Sequence, residues 1–358
     1  MNSLFKKFPQ LEESIPHIPL GGYPTDIKPL SNLYPPSSGC NVYIKRDDLS
    51  GTFYGGNKVR KLEFLLAEAR NKGVKRVITS GAAGSNHALA TAIYAREAGL
   101  QCSLLLFEQP PSLSVRHNLL GDLWSGAEIH FEQNWNSLPV RIAQLRRHYK
   151  KKEGVAPFLI PPGGSSVTGT IGFVSAACEL SDQIDSGSMP CPSKIFLPLG
   201  TMGTAAGLIL GLRVTKPQIR VIPVRVVPSF VANREGLYKL IVSTNKFLHH
   251  HAPAFPMISI SENDLYIDEH QFGDGYGIET EEARLCDLLL YQKEKIRLDG
   301  VYSGKAFAAL KAYADECCSE ETILFWHTKN SKNLPADFLN EDYTKLPPQF
   351  QRYFKKTS

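Results

Sequence analysis

The segment Gly55-Gly56-Asn57-Lys58 places a lysine where a glycine turn leads into a predicted helix. The N-terminus of a helix carries partial positive charge, and Lys61 adds a second cation one turn later. Both effects lower the pKa of an ammonium group, which favours the free amine that Schiff-base chemistry requires. The pattern therefore indicates Lys58 as a nucleophilic amine. The alternative is an ordinary solvated lysine on a helix surface.

Two further segments are typical of anion binding. Residues 80–87 run from a predicted strand through a glycine-rich turn into a helix capped by Ser85, and such a turn exposes backbone N–H groups. Residues 199–207 repeat the pattern, with the hydroxyls of Thr201 and Thr204 as additional donors. Because this second loop has neither the Walker A nor the dinucleotide fingerprint, we expect it to bind a single phosphate. For the first segment, a simple strand-to-helix connection is the alternative.

Two tyrosines lie between glycines, Tyr276 in Gly275-Tyr276-Gly277 and Tyr302 in Gly300-Val301-Tyr302-Ser303-Gly304-Lys305. A tyrosine in such a position is open to close approach by a ligand, which suits a proton donor or a ring contact. A turn with a packed tyrosine is the simpler interpretation of each segment taken alone.

These segments need a scaffold, and the hydrophobic pattern predicts an α/β fold with largely parallel sheets, because short apolar strands alternate with helical periods. Residues 181–194 resemble a linker, and the last thirty residues resemble a tail packed on the body of the protein. The predicted strands lie at residues 42–44, 77–79, 102–107, 129–131, 158–160, 195–199 and 221–226.

Composition excludes several classes of protein. The 358 residues carry a net charge of only +5, which is too weak for a nucleic-acid-binding face. The seven cysteines form no C-x-x-C pair, and His249-His250-His251 has no suitably spaced partners, so we expect reduced thiols and no metal site. The uncharged stretch 195–212 contains four glycines and a proline, which predicts strand, loop and helix rather than a membrane span. We therefore expect a cytoplasmic, roughly two-domain protein that acts on a small molecule.

The order of the motifs is similar to that of one known family and covers roughly residues 10–330. The sequence resembles the D-cysteine desulfhydrase / 1-aminocyclopropane-1-carboxylate deaminase family, pyridoxal-phosphate enzymes of the tryptophan-synthase-β fold type. The segments that carry this resemblance are KRDDLSGTFYGGNKVRKLEFLL, TSGAAGSNHALATA, PPGGSSVTGTIGF, GTMGTAAGL, DGYGIETEEA, LDGVYSGKA and ILFWHT.

The resemblance implies a three-layer α/β fold of two domains, with pyridoxal 5'-phosphate in the cleft between them. The smaller domain, residues 55–171, would be inserted in the larger one, residues 1–54 and 172–358. The small domain would then carry the Schiff-base lysine and the carboxylate-binding turn. A homodimer is the assembly that the family suggests.

The resemblance also implies roles at the reacting atoms. Lys58 would form the Schiff base with the cofactor and later move the Cα proton. Asn86 would donate a hydrogen bond to the phenolic oxygen of the cofactor. Ser85, with the backbone amides of Asn86 and His87, would hold the substrate carboxylate.

The remaining roles concern the two ends of the cofactor and the substrate. Tyr276 and Tyr302 would face the substrate as further candidate catalytic residues, and Ser303 and Thr328 would lie near the pyridine nitrogen. The residues expected to cradle the phosphate are Gly200, Thr201, Met202, Gly203 and Thr204.

The choice of substrate depends on the pyridine nitrogen. The deaminase branch has Glu where this chain has Ser303 and Gln where it has His87, whereas the desulfhydrase branch has Thr and His. A carboxylate beside the nitrogen favours its protonated form and a strong electron sink, which opening a cyclopropane ring needs more than expelling a thiolate. We therefore expect α,β-elimination from a D-amino acid, D-cysteine first, giving pyruvate, ammonia and hydrogen sulfide.

Four positions depart from the family pattern. Gly300 replaces a proline, which would loosen the approach to Tyr302, and Met202 replaces a usual glycine. Lys329 and Asn330 replace two glycines near the expected ring edge, where they would crowd the cofactor or narrow the substrate site. The alternatives left open are 1-aminocyclopropane-1-carboxylate deaminase, a D-serine-type dehydratase, and a relative that binds pyridoxal phosphate or an amino acid without turnover.

Overall fold

The computed structural model describes residues 2–35, 37, 39–317 and 320–355, and its strands form two separate sheets. The strands are β1 (Ile27–Pro29), β2 (Cys40–Lys45), β3 (Arg76–Ala82), β4 (Gln101–Phe107), β5 (Glu128–Glu132), β6 (Phe158–Leu159), β7 (Lys194–Leu199), β8 (Arg220–Arg225) and β9 (Glu321–Trp326). The larger sheet has the order β1-β2-β9-β7-β8 and is parallel except for β1. The smaller sheet, β5-β4-β3-β6, is parallel throughout.

Helices connect the parallel strands and cover both faces of each sheet, which gives the three-layer arrangement typical of α/β proteins. They are α1 (Ser3–Lys7), α2 (Gln10–Ser14), α3 (Lys58–Asn71), α4 (Asn86–Glu97), α5 (Leu113–Trp124), α6 (Leu138–Glu153), α7 (Val167–Asp185), α8 (Gly203–Thr215), α9 (Arg234–His251), α10 (Glu281–Glu294), α11 (Ser303–Glu316) and α12 (Pro348–Gln351).

The larger sheet separates two apolar cores, because side chains alternate between its faces. Leu197 and Leu199 of β7 pack with α7, α8 and α9, whereas Phe196, directly before Leu197, packs with α10 and α11. The smaller sheet repeats the arrangement. Leu104 and Leu106 of β4 pack with α3 and α4 on one face, and α6 covers the other.

The segment that follows the larger sheet returns to the smaller one. Leu346, Phe350 and Tyr353 are buried in the same core as α3 and α4. The Tyr353 hydroxyl also donates to the carbonyl of Gln109 at 2.8 Å. The prediction of a packed tail is confirmed, and the core that it completes is that of the smaller sheet.

The predicted strands all occur within one to three residues of their expected bounds, and the stretch 195–212 divides into β7, a loop and α8. The linker prediction was wrong for residues 181–185, which form the last turn of α7. No helix among the described residues is long and apolar enough to cross a lipid bilayer. The described cysteines form no disulfide with one another, and Cys318 lies outside the described residues.

A buried cluster of charges joins α3 to the larger sheet. Arg60 of α3 donates to both carboxylate oxygens of Asp47, at 2.7 and 2.9 Å, and to Glu179 of α7 at 2.9 Å. Lys45 of β2 lies 2.5 Å from the same Glu179 carboxylate. Burial opposes ionisation, but the two cations outweigh it and hold the pKa of Glu179 at about 2. The cluster is therefore charged and balanced, two cations against two anions.

Removing the central cation of this cluster should destabilise the fold. Arg60→Met leaves two buried carboxylates facing one lysine, which typically costs about 3–5 kcal/mol. Urea unfolding measures this loss, and Lys239→Met, in the exposed pair Lys239–Glu235, is the control. An Arg60→Met midpoint equal to that of the control would show that the cluster contributes nothing to stability.

Candidate active site

The predicted site segments converge at the carboxyl ends of the two sheets, the usual location of ligand sites in α/β folds. The turn after β3 leads into α4, and the loop after β7 leads into α8. Asn57, directly before α3, connects the start of α3 to the loop before α8 and to the segment after β9. Its Nδ2 donates to Thr204 Oγ1 at 3.0 Å, and its backbone N–H donates to the carbonyl of Thr328 at 3.1 Å.

Lys58 is the first residue of α3, and its amine has no hydrogen-bond partner among the described residues. Burial lowers the pKa of Lys58 to about 8, although the carboxylate of Asp299 opposes the shift. The predicted direction is confirmed, but the predicted cause was partly wrong. Repulsion between the two lysines acts on Lys61, whose pKa lies well below its ordinary value through burial and then through Lys58. Lys58 is thus a half-buried amine poised to lose its proton near neutral pH.

The loop 200–204 forms a close-fitting cradle at the start of α8. Met202 adopts a left-handed conformation, with φ 71°, which explains why glycine is usual at this position. Its side chain points toward Gly236 on α9 and therefore leaves the cradle open. A Cβ on Gly203 would lie 2.7 Å from Ser165 Oγ and 3.0 Å from Lys61 Nζ, so only glycine fits without displacing these neighbours.

Lys61 and Ser165 belong to this site, although sequence analysis gave neither a binding role. The amine of Lys61 donates to the carbonyl of Gly163 at 3.0 Å and to Ser165 Oγ at 3.2 Å. Ser165 Oγ in turn lies 2.7 Å from Thr201 Oγ1. No positive side chain lies within residues 200–204, but the amine of Lys61 approaches this loop through Ser165. The signal that could have found Lys61 was its spacing, one helical turn after Lys58.

The turn before α4 contains a hydroxyl donor, that of Ser85, which is not used within the helix. Ser85 caps the helix by accepting a hydrogen bond from the backbone of Ala88 at 3.2 Å, which leaves its hydroxyl proton free for a ligand. His87 is buried, with Nε2 3.0 Å from Thr79 Oγ1. Burial, reinforced by Lys58 and Lys61, lowers the pKa of His87 well below its ordinary value, so the imidazole is neutral. His87 can therefore offer a backbone amide but no positive charge.

Tyr276 and Tyr302 meet at the opposite side of the site. Their hydroxyls are 2.7 Å apart, and the Tyr302 ring lies close to Gly200, 3.4 Å from where a Cβ would be. Burial and the neighbouring Tyr276 raise the pKa of Tyr302 well above its ordinary value. The pair is neutral and shares one hydrogen bond, which leaves a hydroxyl proton free for a ligand.

Ser303 has a carboxylate partner, which sequence analysis missed. Its hydroxyl donates to Asp299 Oδ2 at 2.6 Å, and the same Asp299 accepts from the backbone N–H groups of Val301 and Tyr302. Residue 303 is thus uncharged itself, but an anion lies close to it. The carboxylate lies one hydrogen bond behind the serine. Asp299 lies four residues before Ser303, in the loop that leads into α11, and this short spacing was the available signal.

Comparison with known proteins places this geometry in a family. The family model described as "Pyridoxal-phosphate dependent enzyme" matches residues 18–329. A D-cysteine desulfhydrase from Klebsiella pneumoniae is 34% identical over 342 residues, covering 92% of this chain and 96% of its own length. A Pyrococcus horikoshii protein named provisionally as a 1-aminocyclopropane-1-carboxylate deaminase is 36% identical and covers 91% of this chain and 93% of its own length.

The chain belongs to the pyridoxal-phosphate-dependent enzyme family. A crystal structure of an ACC deaminase homologue shares 32% identity with it, covers 97% of this chain and 99% of its own, and superposes with a TM-score of 0.77. A pyridoxal 5'-phosphate-dependent aspartate racemase, at 15% identity and a TM-score of 0.58, shares the fold alone. The fold type and the cofactor expected from the sequence are confirmed, as is the D-cysteine desulfhydrase / 1-aminocyclopropane-1-carboxylate deaminase group.

The residues present fit pyridoxal 5'-phosphate. The backbone N–H groups at the start of α8 and the amine of Lys61 form a donor set suited to a phosphate. Gly203 has no side chain that would fill this cradle. The amine of Lys58 has no hydrogen-bond partner among the described residues, so it is available to the aldehyde of the cofactor.

The departures from the family pattern make contacts at the edge of the site. Asn330 Oδ1 accepts from the backbone N–H of Gly55 at 2.7 Å, so it fastens the turn that precedes Lys58. The amine of Lys329 donates to the carbonyl of Leu298 at 3.1 Å. Gly300 lies against the side chain of Glu279, which occupies the space where a Cβ would project. A proline at 300 would therefore require Glu279 to move.

The role of Lys61 can be tested with two forms of the cofactor. If its amine serves the phosphate, Lys61→Met should weaken pyridoxal 5'-phosphate roughly ten- to hundredfold, the value of one charged hydrogen bond. Binding of pyridoxal, which lacks the phosphate, should be unchanged. Titration of the cofactor-free protein measures both affinities, and an equal loss for the two ligands would assign Lys61 a structural role only.

The lowered pKa of Lys58 predicts a pH-dependent cost to stability. The folded cofactor-free protein loses this proton near pH 8, whereas the unfolded chain keeps it to about pH 10.4. Lys58→Met should therefore be more stable than wild type at pH 7, by about 3 kcal/mol at most. The gap should close as the pH rises from 8 to 10.5.

Denaturant unfolding across this pH range measures the gap between the two cofactor-free proteins. Lys75, which is exposed, supplies the control Lys75→Met, for which the difference from wild type should be flat with pH. A flat difference for Lys58→Met as well would contradict the lowered pKa.

Proposed function

We propose that this enzyme catalyses α,β-elimination from a D-amino acid, D-cysteine first, with release of pyruvate, ammonia and hydrogen sulfide. The observation that carries the proposal is the half-buried amine of Lys58, which has no partner and has a pKa near 8. Its charge lowers the pKa of His87 beside the turn at Ser85, and the preceding residue, Asn57, donates to Thr204 in the loop at Gly203, so two helix starts that suit anions belong to the same site. That combination suits a ligand with one anionic group at each end.

The roles of the residues around Lys58 follow from their chemistry. Lys58 holds the aldehyde of the cofactor and, once released, is a base close to neutral pH for the Cα proton. Ser85 and the backbone amides of Asn86 and His87 bind the substrate carboxylate. Holding the carboxylate fixes the direction of the Cα–H bond relative to the amine, which is an effect of orientation.

The other side of the site completes the assignment. Asn86 donates to the ring oxygen of the cofactor, the loop 200–204 holds its phosphate, and Ser303 and Thr328 lie near its pyridine nitrogen. Tyr276 and Tyr302, which share a hydrogen bond, face the substrate and offer a proton to a departing group. The bound cofactor supplies the electron sink for breaking a bond at Cα.

The Ser303–Asp299 pair supports sulfide release over ring opening. Asp299 accepts the Ser303 hydroxyl proton at 2.6 Å, so with the ring nitrogen beside Ser303 the carboxylate would lie one hydrogen bond further away, and the interaction of charges weakens with distance. The nitrogen is therefore less readily protonated than beside a carboxylate, and the electron sink is weaker. A thiol, with a pKa of about 8.5, is a good leaving group and needs less assistance than a carbon.

The second candidate is 1-aminocyclopropane-1-carboxylate deaminase. The observation in its favour is the carboxylate of Asp299, which accepts a hydrogen bond from Ser303. Ser303 occupies the position where the deaminase branch has a glutamate, so Asp299 supplies an anion close to that position.

Steady-state assays distinguish the candidates. Wild type should release sulfide from D-cysteine faster than from L-cysteine, and should release little or no ketobutyrate from 1-aminocyclopropane-1-carboxylate. D-serine, with a poorer leaving group, should react more slowly than D-cysteine. Faster ring opening than D-cysteine consumption would refute the electron-sink argument and support the second candidate.

The assignment of Lys58 has its own test. Borohydride reduction of the cofactor-loaded protein should attach the cofactor covalently to wild type and to Lys75→Ala, but not to Lys58→Ala. Mass spectrometry of the digested protein locates the modified lysine. Covalent attachment in Lys58→Ala would overturn the assignment, and Lys61 would then be the next candidate.

A further inference from the structure

The side-chain amide of Asn86 is held on one side only. Its Oδ1 accepts from the hydroxyl of Tyr54 at 3.1 Å and from Nδ2 of Asn118 at 3.1 Å. Its Nδ2 has no hydrogen-bond partner among the described residues. Asn86 is partly exposed at the first turn of α4, so the unpaired NH₂ group is open to a ligand.

Asn118 determines which way this amide faces. An asparagine side chain can in general turn over and exchange its oxygen and nitrogen, so its neighbours decide the orientation. Nδ2 of Asn118 also donates to the backbone carbonyl of Gly84 at 2.8 Å, and a carbonyl can only accept. The same nitrogen faces Asn86, so the atom of Asn86 opposite it must be the oxygen. This fixes the Asn86 nitrogen on the ligand side.

Tyr54 does not select an orientation in this way. A tyrosine hydroxyl can donate to an amide oxygen or accept from an amide nitrogen, so it tolerates both positions of Asn86. Tyr54 and Asn118 thus contact the same atom at the same distance but differ in what they specify. This difference makes Tyr54 a matched control for Asn118.

We propose that Asn118 is a positioning residue that keeps Asn86 turned with its nitrogen toward the ring oxygen of the cofactor. The inference rests on the proposed function, in which Asn86 donates to that oxygen. If Asn118 were lost, Asn86 could turn over and present its own oxygen to an oxygen of the cofactor. That arrangement replaces a hydrogen bond with a repulsion.

The consequence can be measured without turnover. When the bound cofactor loses its proton, negative charge develops at the ring oxygen, and a hydrogen-bond donor stabilises that charge. Losing the donor therefore raises the pKa of the bound cofactor. The visible absorbance of the bound cofactor reports this titration. A purely structural role of Asn118, such as supporting the turn at Gly84, would lower stability and leave the titration midpoint unchanged.

The experiment compares cofactor-loaded wild type with Asn118→Leu, Asn118→Asp, Tyr54→Phe and Asn86→Ala. Asn118→Leu and Asn118→Asp should raise the absorbance midpoint by roughly one pH unit and weaken cofactor binding about tenfold, as expected for one charged hydrogen bond. Tyr54→Phe should keep the wild-type midpoint. Asn86→Ala should shift it as Asn118→Leu does, and combining the two changes should add nothing, because both act through one contact.

The outcomes separate this inference from the proposed function. A wild-type midpoint in Asn118→Leu and Asn118→Asp, together with a shifted one in Asn86→Ala, overturns the role of Asn118 and leaves the proposed function intact. An unchanged midpoint in Asn86→Ala refutes the assignment of Asn86 itself, and the inference fails with it.

If neither Asn118 variant folds, a crystal structure of the cofactor-loaded wild type decides the question. Asn118 within hydrogen-bond distance of both Gly84 and Asn86, with Asn86 against the ring oxygen, supports the inference. A broken contact between Asn118 and Asn86 overturns it.

Discussion

The placement of the reactive amine depends on the ion pair between Arg60 and the carboxylates of Asp47 and Glu179. Arg60 lies two residues after Lys58, so fixing its guanidinium also fixes the first turn of α3. Asp47 lies two residues after β2 and also accepts from the indole of Trp326, the last residue of β9. The start of α3 is therefore held against the carboxyl ends of two central strands. Planar, bidentate contacts of this kind restrict rotation as well as distance.

Around that fixed point, the polar groups of the site are supported from several elements at once. Ser165, Thr201 and Lys61 come from different parts of the chain and share hydrogen bonds around one oxygen. Asp299 accepts hydrogen bonds from backbone N–H groups just before α11. Its charge also raises the pKa of Lys58 and so partly offsets the lowering that burial causes. The pKa of the amine is thus a balance between a dry environment and one distant anion. Such balances are typical of sites that need a base near neutral pH.

The sequence was sufficient for the fold and for the segments that contain the site. Apolar strands alternating with helices, and glycine-rich turns between them, follow from local periodicity and turn chemistry. The supporting residues were not accessible in the same way. Lys61 and Asn118 contact segments that are distant in the sequence. The spacing of Lys61 from Lys58 and of Asp299 from Ser303 was visible in the sequence, but spacing alone does not show which groups meet in the folded protein.

The same limit explains the partial errors. The last turn of α7 was interpreted as linker because its residues are mostly polar, although Ser181 is buried and only Asp185 is exposed. The cause of the lowered Lys58 pKa was misassigned because burial is a tertiary property, whereas the nearby Lys61 was visible in the sequence. Properties that depend on neighbours in the sequence could be predicted, whereas a pKa shift that depends on burial in the folded protein could not.

The return of residues 346–353 to the smaller sheet has a consequence for the order in which the protein forms. The strands and helices of that sheet are synthesised well before Leu346, Phe350 and Tyr353, which complete their core. During synthesis the apolar faces of α3 and α4 remain uncovered at those positions until the larger sheet has also emerged from the ribosome. The smaller sheet therefore reaches its final packing only after the last strand of the larger sheet has been translated.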